Sequence, residues 1–163
     1  MKEIKFVDYN ESFKNALNEL QMNQWGEGSD SDEIIENIEN YFVKLAVTSA
    51  NELAGTLICH KKDEDTLYFD MLVIAPSFQK MGIGTKFFEF LIDYAKKLNF
   101  KQIEVEAIEA NGHTNSKKLL ENFGFVETRC VKNYWGELCP EFHCKECGHK
   151  PCICSMHEYF KYL

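Results

Sequence analysis

The sequence predicts a mixed α/β fold of the α+β kind, with a mostly antiparallel central sheet of about seven strands flanked by about four helices. Three observations carry this. Alternating or β-branched stretches recur along the chain, apolar residues at helical spacing separate them, and three of the strands follow one another through short polar connections, as in an antiparallel meander. With 163 residues and 45% hydrophobic content, residues 1–163 have the size of a single domain. Such a chain can bury roughly two-thirds of its unfolded surface.

Glu3–Val7 alternates as a short strand, and "ESFKNALNEL" places Phe13, Leu17 and Leu20 near one helical face. In "GEGSDSDEIIENIENYF" a Gly/Ser/Asp loop leads to a cap at Ser31 or Asp32 and then to Ile34, Ile35 and Ile38, which predicts a helix over about 32–40. "FVKLAVTS", "ELAGTLICHK" and "DTLYFDMLVIA" make the meander, with "SANE" and "KKDED" between them. A long helix at about 83–98 precedes the strand "KQIEVEAI", the helix "TNSKKLLENF" and the strand "FVETRCVKNYW", and "MHEYFKYL" closes the chain as a last strand. No repeat interrupts this order. The one break in composition is the Cys/His-rich insertion "CPEFHCKECGHKPCICS" at 139–155, between the last two strands.

Charge and cysteine content narrow the function. A net charge of −8 argues against the phosphate backbone of nucleic acids as partner and favours cationic small molecules or basic peptides. No apolar run is long enough to span a membrane, and "MKEIKFVDYN" has no signal-peptide h-region, so a cytoplasmic protein is expected. In that reducing setting seven cysteines read as thiols or metal ligands rather than disulfides.

The stretch "VIAPSFQKMGIGTKFF" carries the chemistry. Pro76 ends a strand, Gly82 and Gly84 leave the backbone open to close approach, and a helix follows at once. Exposed N–H groups and the positive end of that helix favour a phosphate. A P-loop is excluded, since Gly84 is followed by Thr85 and Lys86 with no glycine five before it, and a dinucleotide fingerprint would need a glycine where Phe87 stands.

Gln79-Lys80-Met81-Gly82-Ile83-Gly84, behind "LVIAP" and followed downstream by "SKKLLENFGF", resembles the coenzyme-A signature of the GNAT acyltransferases, [RQ]-x-x-G-x-[GA]. The resemblance covers the order of elements from about residue 3 to 135 and the last strand, and leaves 139–155 outside it. It implies a sheet splayed between its fourth and fifth strands, with acetyl-CoA in the gap. Backbone groups of Gln79, Lys80, Met81, Gly82, Ile83, Gly84 and Thr85 would then hold the pyrophosphate, with Lys80 and Lys86 adding charge, and Leu72, Val73 and Ile74 would pair with the pantetheine arm. Asn111, His113 and Asn115 follow the fifth strand, where the family often places an asparagine on that arm. In the best register the position is His113, and which of the three makes the contact stays open.

The implied reaction is attack of a primary amine on the thioester, which needs a base, a polarised carbonyl and a proton for the thiolate. Asp70, in the fourth strand, is the first candidate base, weighed against a solvent-facing carboxylate. Alternation puts Tyr68, Asp70 and Leu72 on one face. Glu104, with Glu106, is the reserve. The family's usual tyrosine acid falls at Leu120, which cannot donate a proton, so Ser116, Tyr134, a water or no acid at all remain as alternatives.

The insertion offers Cys139, Cys144, Cys147, Cys152 and Cys154, with His143 and His149, as ligands of which zinc would take four. A redox pair at Cys144 and Cys147, or unliganded thiols, are the rival readings, while Cys59 and Cys130 read as core residues. Trp25, Tyr41 and Phe42 among Glu27, Asp30, Asp32, Glu33, Glu36 and Glu39 suggest an amine-binding wall or an ordinary acidic surface. Two functions follow: an acetyl-CoA-dependent N-acetyltransferase acting on a small-molecule or peptide amine, as monomer or homodimer, or a catalytically weak acyl-CoA-binding protein whose cysteines sense metal or redox state.

Overall fold

Seven apolar-alternating segments pair into one sheet whose two faces are covered by helices. The structure, a computed structural model, describes residues 3–29 and 31–163. In chain order its elements are β1 (Ile4–Asp8), α1 (Lys14–Trp25), α2 (Ser31–Glu36), β2 (Phe42–Thr48), β3 (Leu53–Lys61), β4 (Thr66–Ile74), α3 (Ile83–Lys97), β5 (Gln102–Glu109), α4 (Lys117–Asn122), β6 (Val126–Val131), α5 (Tyr134–Leu138) and β7 (Ser155–Tyr162). The strand order is β1-β2-β3-β4-β5-β7-β6. Only β4 and β5 run parallel, because the long α3 crosses over between them. Among the described residues no helix is long and apolar enough to cross a membrane.

Helical spacing turns Ile83, Phe87, Phe88, Leu91 and Ala95 of α3 to one buried face, packed on Leu57, Cys59, Leu67, Phe69, Ile103 and Val105 of the sheet. On the opposite face Leu17 of α1, Ile35 of α2 and Ile38 cover Val43, Leu45, Ile58, Met71 and Val73. Cys59 is fully buried, as expected of a core thiol. Cys130 is not: it is exposed on β6, an edge strand whose side chains are exposed from Val126 to Cys130.

Two local differences from the sequence pattern have physical causes. A strand was expected to run on to Trp135, since Tyr134 and Trp135 are strand-forming residues. Asn133 adopts φ 56, which ends the extended chain after Val131, and the two aromatics open the short α5 with Trp135 buried. The second difference lies in β4. Ile58 pairs with Met71 and Cys59 with Phe69, so Asp70 is an extra, unmatched residue, a β-bulge. The bulge reverses the alternation: Phe69, Leu72 and Ile74 pack towards α3, whereas Met71 and Val73 turn to the other face. The expected common face for Tyr68, Asp70 and Leu72 is thereby corrected, because one added residue inverts every side chain beyond it.

Immediately at this bulge β4 and β5 stop pairing. Their register runs from Thr66 opposite Gln102 to Phe69 opposite Val105 and ends there. The sheet opens beyond it.

Phe87 is wholly buried and meets the Phe6 ring edge-on at 5.4 Å. Phe87→Ala should cost about 3–5 kcal/mol of stability, read as a lowered urea midpoint with an unchanged slope.

Candidate active site

Two chambers fill the opening between β4 and β5, and they share Trp25, Leu72, Ile108 and Ser116 as common wall. The outer, of about 480 Å³, has Leu72, Val73 and Ile74 with Gln79, Lys80 and Gly82–Thr85 on one side and His113, Asn115 and Ser116 on the other. These are nearly all the residues expected at a coenzyme site. Met81 is 42% exposed and lies outside the lining, Asn111 instead donates its side-chain amide to the Glu146 carbonyl at 3.4 Å, and Lys86 is paired with Glu89 at 2.7 Å on the helix surface.

The loop's shape follows from its residues. Gln79 turns its side-chain amide back onto the Ile74 carbonyl, 3.1 Å away, and Lys80 and Gly82 take φ of 62 and 78. Gly82 caps α3 without a side chain. The first-turn N–H groups of α3, at the positive end of its dipole, therefore have no intrahelical acceptor and face the chamber. Gly84 is required for a different reason: a Cβ there would sit 3.1 Å from Leu119 and 3.4 Å from Ile74, where α4 and β4 close on the helix.

The inner chamber, of about 170 Å³, is where the titratable groups converge, with Tyr68, Asp70 and Glu106 in its wall. Asp70, buried to 6% at its side chain, meets His60 Nδ1 at 2.7 Å, while the His60 side chain is 33% exposed. The His60 ring lies between Tyr41 and Tyr68, with centroids 5.4 Å away on both sides. Sequence reading missed His60, since its place opposite Tyr68 depends on the β3–β4 register, which the bulge sets.

Burial pushes the Glu106 carboxyl above its ordinary value, and the Tyr68 and Tyr134 hydroxyls that donate to it counteract this only in part. Tyr134 Oη stands 3.3 Å from Glu106 Oε1. Burial, and then the charge of Glu106, push the Tyr68 phenol far above its usual range. Glu104 is placed differently. It is 5% exposed, gripped by Lys62 Nζ at 2.7 and 2.6 Å, and lines neither chamber. Leu120, at the family's tyrosine position, lies buried in the inner wall, and Ser116, which opens α4 without making a capping bond, reaches both chambers.

Where a loop and a helix cap at Ser31 or Asp32 were expected, a buried polar chain borders the inner chamber. Ser31 Oγ donates to Gln21 Oε1 at 2.6 Å, Ser29 bonds Ser31, and Gln21 Nε2 reaches Asp32 Oδ1 at 3.0 Å. Glu27, Glu33, Glu36 and Glu39 are exposed and line neither chamber, whereas Trp25 lines both. Asp30 lies outside the described residues.

The cysteine-rich insertion folds over the same cleft. Cys144, Cys147, Cys152 and Cys154 bring their sulfurs within 4.8 Å of one another. Among the described residues, Cys139, His143 and His149 are not part of this group. Cys144 and Cys152 line the inner chamber beside Phe142 and Trp135.

A model of the acetyltransferase (GNAT) family matches residues 8–125. No protein of curated function matches the sequence significantly. Solved structures do resemble the fold: a GNAT family acetyltransferase from Elizabethkingia anophelis with acetyl-CoA bound has TM-score 0.76 at 21% identity, covering 98% of both chains. A Bacillus subtilis acetyltransferase in complex with CoA has TM-score 0.74 at 20% identity over 100% of this chain and 99% of that one. The ribosomal-protein-S18-alanine N-acetyltransferase from Escherichia coli has TM-score 0.75 at 16% identity, covering 98% and 94%. With the family model spanning most of its length, the chain belongs to the GNAT acetyltransferase family.

Proposed function

We propose that the protein transfers an acetyl group from acetyl-CoA to a primary amine by direct attack on the thioester. The observation that carries this reading is that the two chambers adjoin: the first-turn N–H groups of α3 and the β4 edge that β5 has left border one chamber, and across Leu72 and Ser116 lies a small carboxylate-lined space. Relatives of the same fold were solved with acetyl-CoA and CoA. The reading gives each residue a task. N–H groups from Gln79 to Thr85, with Lys80, hold the pyrophosphate, and Leu72–Ile74 offer backbone partners to the pantetheine amides as a free strand edge does. His113 and Asn115 border the arm from the other side.

The thioester then lies at the shared wall, facing the inner chamber. An alkylammonium entering there is held by ionised Glu106 and loses a proton to Asp70, and His60, with its exposed edge, passes that proton to solvent. The amine lone pair forms the N–C bond to the carbonyl, the C–S bond breaks with its electron pair on sulfur, and the surplus proton on nitrogen passes to that sulfur through solvent, so that CoA leaves as the thiol. Ser116 donates a hydrogen bond to that thiolate in place of the tyrosine that Leu120 replaces. Glu104, neutralised by Lys62, supports the β4–β5 pair rather than the chemistry. A chamber of about 170 Å³ suits a small amine or the amino end of a peptide. Seven free thiols and acetyl-CoA suit a cytoplasmic setting.

The competing reading, a coenzyme-binding protein without turnover, is favoured by Leu120 alone. Release of CoA thiol from acetyl-CoA over polyamines, amino sugars, amino acids and lysine peptides separates the two. Turnover with one amine class is expected, while tight coenzyme binding with no turnover on any of them would replace the transferase by the binding protein.

The same assignment of roles fixes what substitutions and pH should do. Gly82→Asp, which puts a carboxylate beside the phosphates, should weaken coenzyme binding by roughly a hundredfold or more in calorimetry. Asp70→Asn should lower kcat by about 10²–10⁴-fold, and Ser116→Ala by about tenfold or more. Because burial raises the Glu106 carboxyl above its ordinary value, kcat/KM should fall as pH drops through that raised value and Glu106 takes up its proton. Glu106→Gln should remove that limb while raising the amine KM, and Tyr68→Phe, which takes away a donor to the anion, should move the limb to higher pH.

A further inference from the structure

We propose that Cys144, Cys147, Cys152 and Cys154 bind one zinc ion, and that this closed centre fixes the roof of the amine chamber. The sulfurs already have the spacing of a tetrathiolate. Cys144 and Cys154 are 3.8 Å apart and Cys147 and Cys152 are 3.9 Å apart, with all four within 4.8 Å. Bonds of about 2.3 Å in a tetrahedron separate sulfurs by about 3.8 Å, whereas a disulfide would need about 2.05 Å. The ligands come as two turns. Gly148, at φ 74, reverses the chain after Cys147 and donates its N–H to the Cys144 carbonyl at 2.8 Å, and Cys152 and Cys154 follow from the next turn.

Backbone N–H groups already point at the sulfurs. That of Cys154 lies 3.4 Å from Cys152 Sγ, and those of Ile153 and His149 donate to Cys147. Such donors offset the negative charge that four thiolates leave around a divalent ion. A second, independent fact is what the segment lacks. Between Cys139 and Cys154 the buried residues are Phe142, Cys144, Cys152 and Cys154, so a 16-residue stretch has one buried hydrocarbon side chain and no helix or strand. The stretch packs on Trp135, Ala110 and Met156 through Phe142 and the cysteines themselves, which is little apolar burial for a loop of that length, and a metal staple supplies the missing order. Binding exchanges four S–H bonds for four Zn–S bonds and releases the protons to solvent, with no change of oxidation state.

The two residues between Cys144 and Cys147 connect the centre to the cleft. Lys145 donates its backbone N–H to the Trp25 carbonyl at 3.2 Å, and Glu146 accepts from the side chains of Gln24 and Asn111. Trp25 lines both chambers and Glu146 the outer one. Against the other turn, Gly136 of α5 lies so close that a Cβ would fall 2.1 Å from the Cys152 carbonyl. The zinc thus holds α1, α5 and the β5–α4 loop together above the site, while the two sheet-face cores, which contain none of these cysteines, fold without it.

The consequence for the amine rests on the acetyl-transfer reading, whereas the metal assignment does not. The full chain, purified without an affinity metal, should contain about one zinc per chain by elemental analysis, with four sulfur neighbours at about 2.3 Å by X-ray absorption. Cys147→Ser, the least buried of the four positions, should lose most of that zinc with the far-ultraviolet circular dichroism retained, and should raise the amine KM about tenfold with kcat changed less. Iron in place of zinc, nitrogen ligands in the absorption spectrum, or metal-free protein with four reactive thiols and an unchanged amine KM would each overturn the proposal. Zinc bound with no turnover on any amine would uphold the metal site and count against the transferase instead.

Discussion

The rest of this molecule depends on one extra residue in β4. Asp70 bulges out of the β3–β4 backbone register, although its carboxylate bonds His60 of β3 at 2.7 Å, and at the same level β4 and β5 cease to pair. A parallel pair left open part-way exposes backbone donors and acceptors that would cost stability if buried dry and unpaired. The opening is therefore stable only as a place for water or for a ligand with amide groups of its own. The bulge also turns Leu72 and Ile74 towards α3 and its loop, bringing the strand edge and the glycine turn into one chamber. The bulged residue carries the carboxylate, which lines the inner chamber while held by His60 of β3.

Electrostatics in the gap follow from the same parting. Past the point where β5 parts from β4, Glu106 is half-buried with two tyrosine hydroxyls as its donors, while Glu104, two residues earlier where the strands still pair, is neutralised by Lys62. Alternate residues of one strand so acquire different surroundings: one acid is locked in an ion pair and the other lines the inner chamber. A chain with net charge −8 draws such cations in from a distance.

How much of this was legible in the sequence depended on whether the cause was local. The glycine loop was, because strand end, Pro76, Gly82, Gly84 and helix start are consecutive, and so were the seven strands and the long helix. The facing of β4 was not, since a bulge is a property of two strands in register and Asp70 looks like any alternating residue. His60 was hidden for the same reason. Tyr134 and Trp135 read as strand by propensity, and the left-handed backbone at Asn133 overrides it. Spacing supplied five cysteines and two histidines for the insertion, and only the fold shows which four sulfurs meet. The chambers' common wall, drawn from α1, β4, β5 and α4, had no local signal at all.

The central claim is that the gap opened at Asp70 is a coenzyme site, and amide-resolved NMR during titration with acetyl-CoA tests it most directly. The account predicts saturable shifts concentrated at Leu72–Ile74 and at the loop from Gln79 to Thr85, with smaller ones at His113 and Asn115 and little change on the edge strand β6. Saturable binding with its largest shifts elsewhere, or no shift in the β4 edge and the glycine loop at millimolar acetyl-CoA, would contradict it.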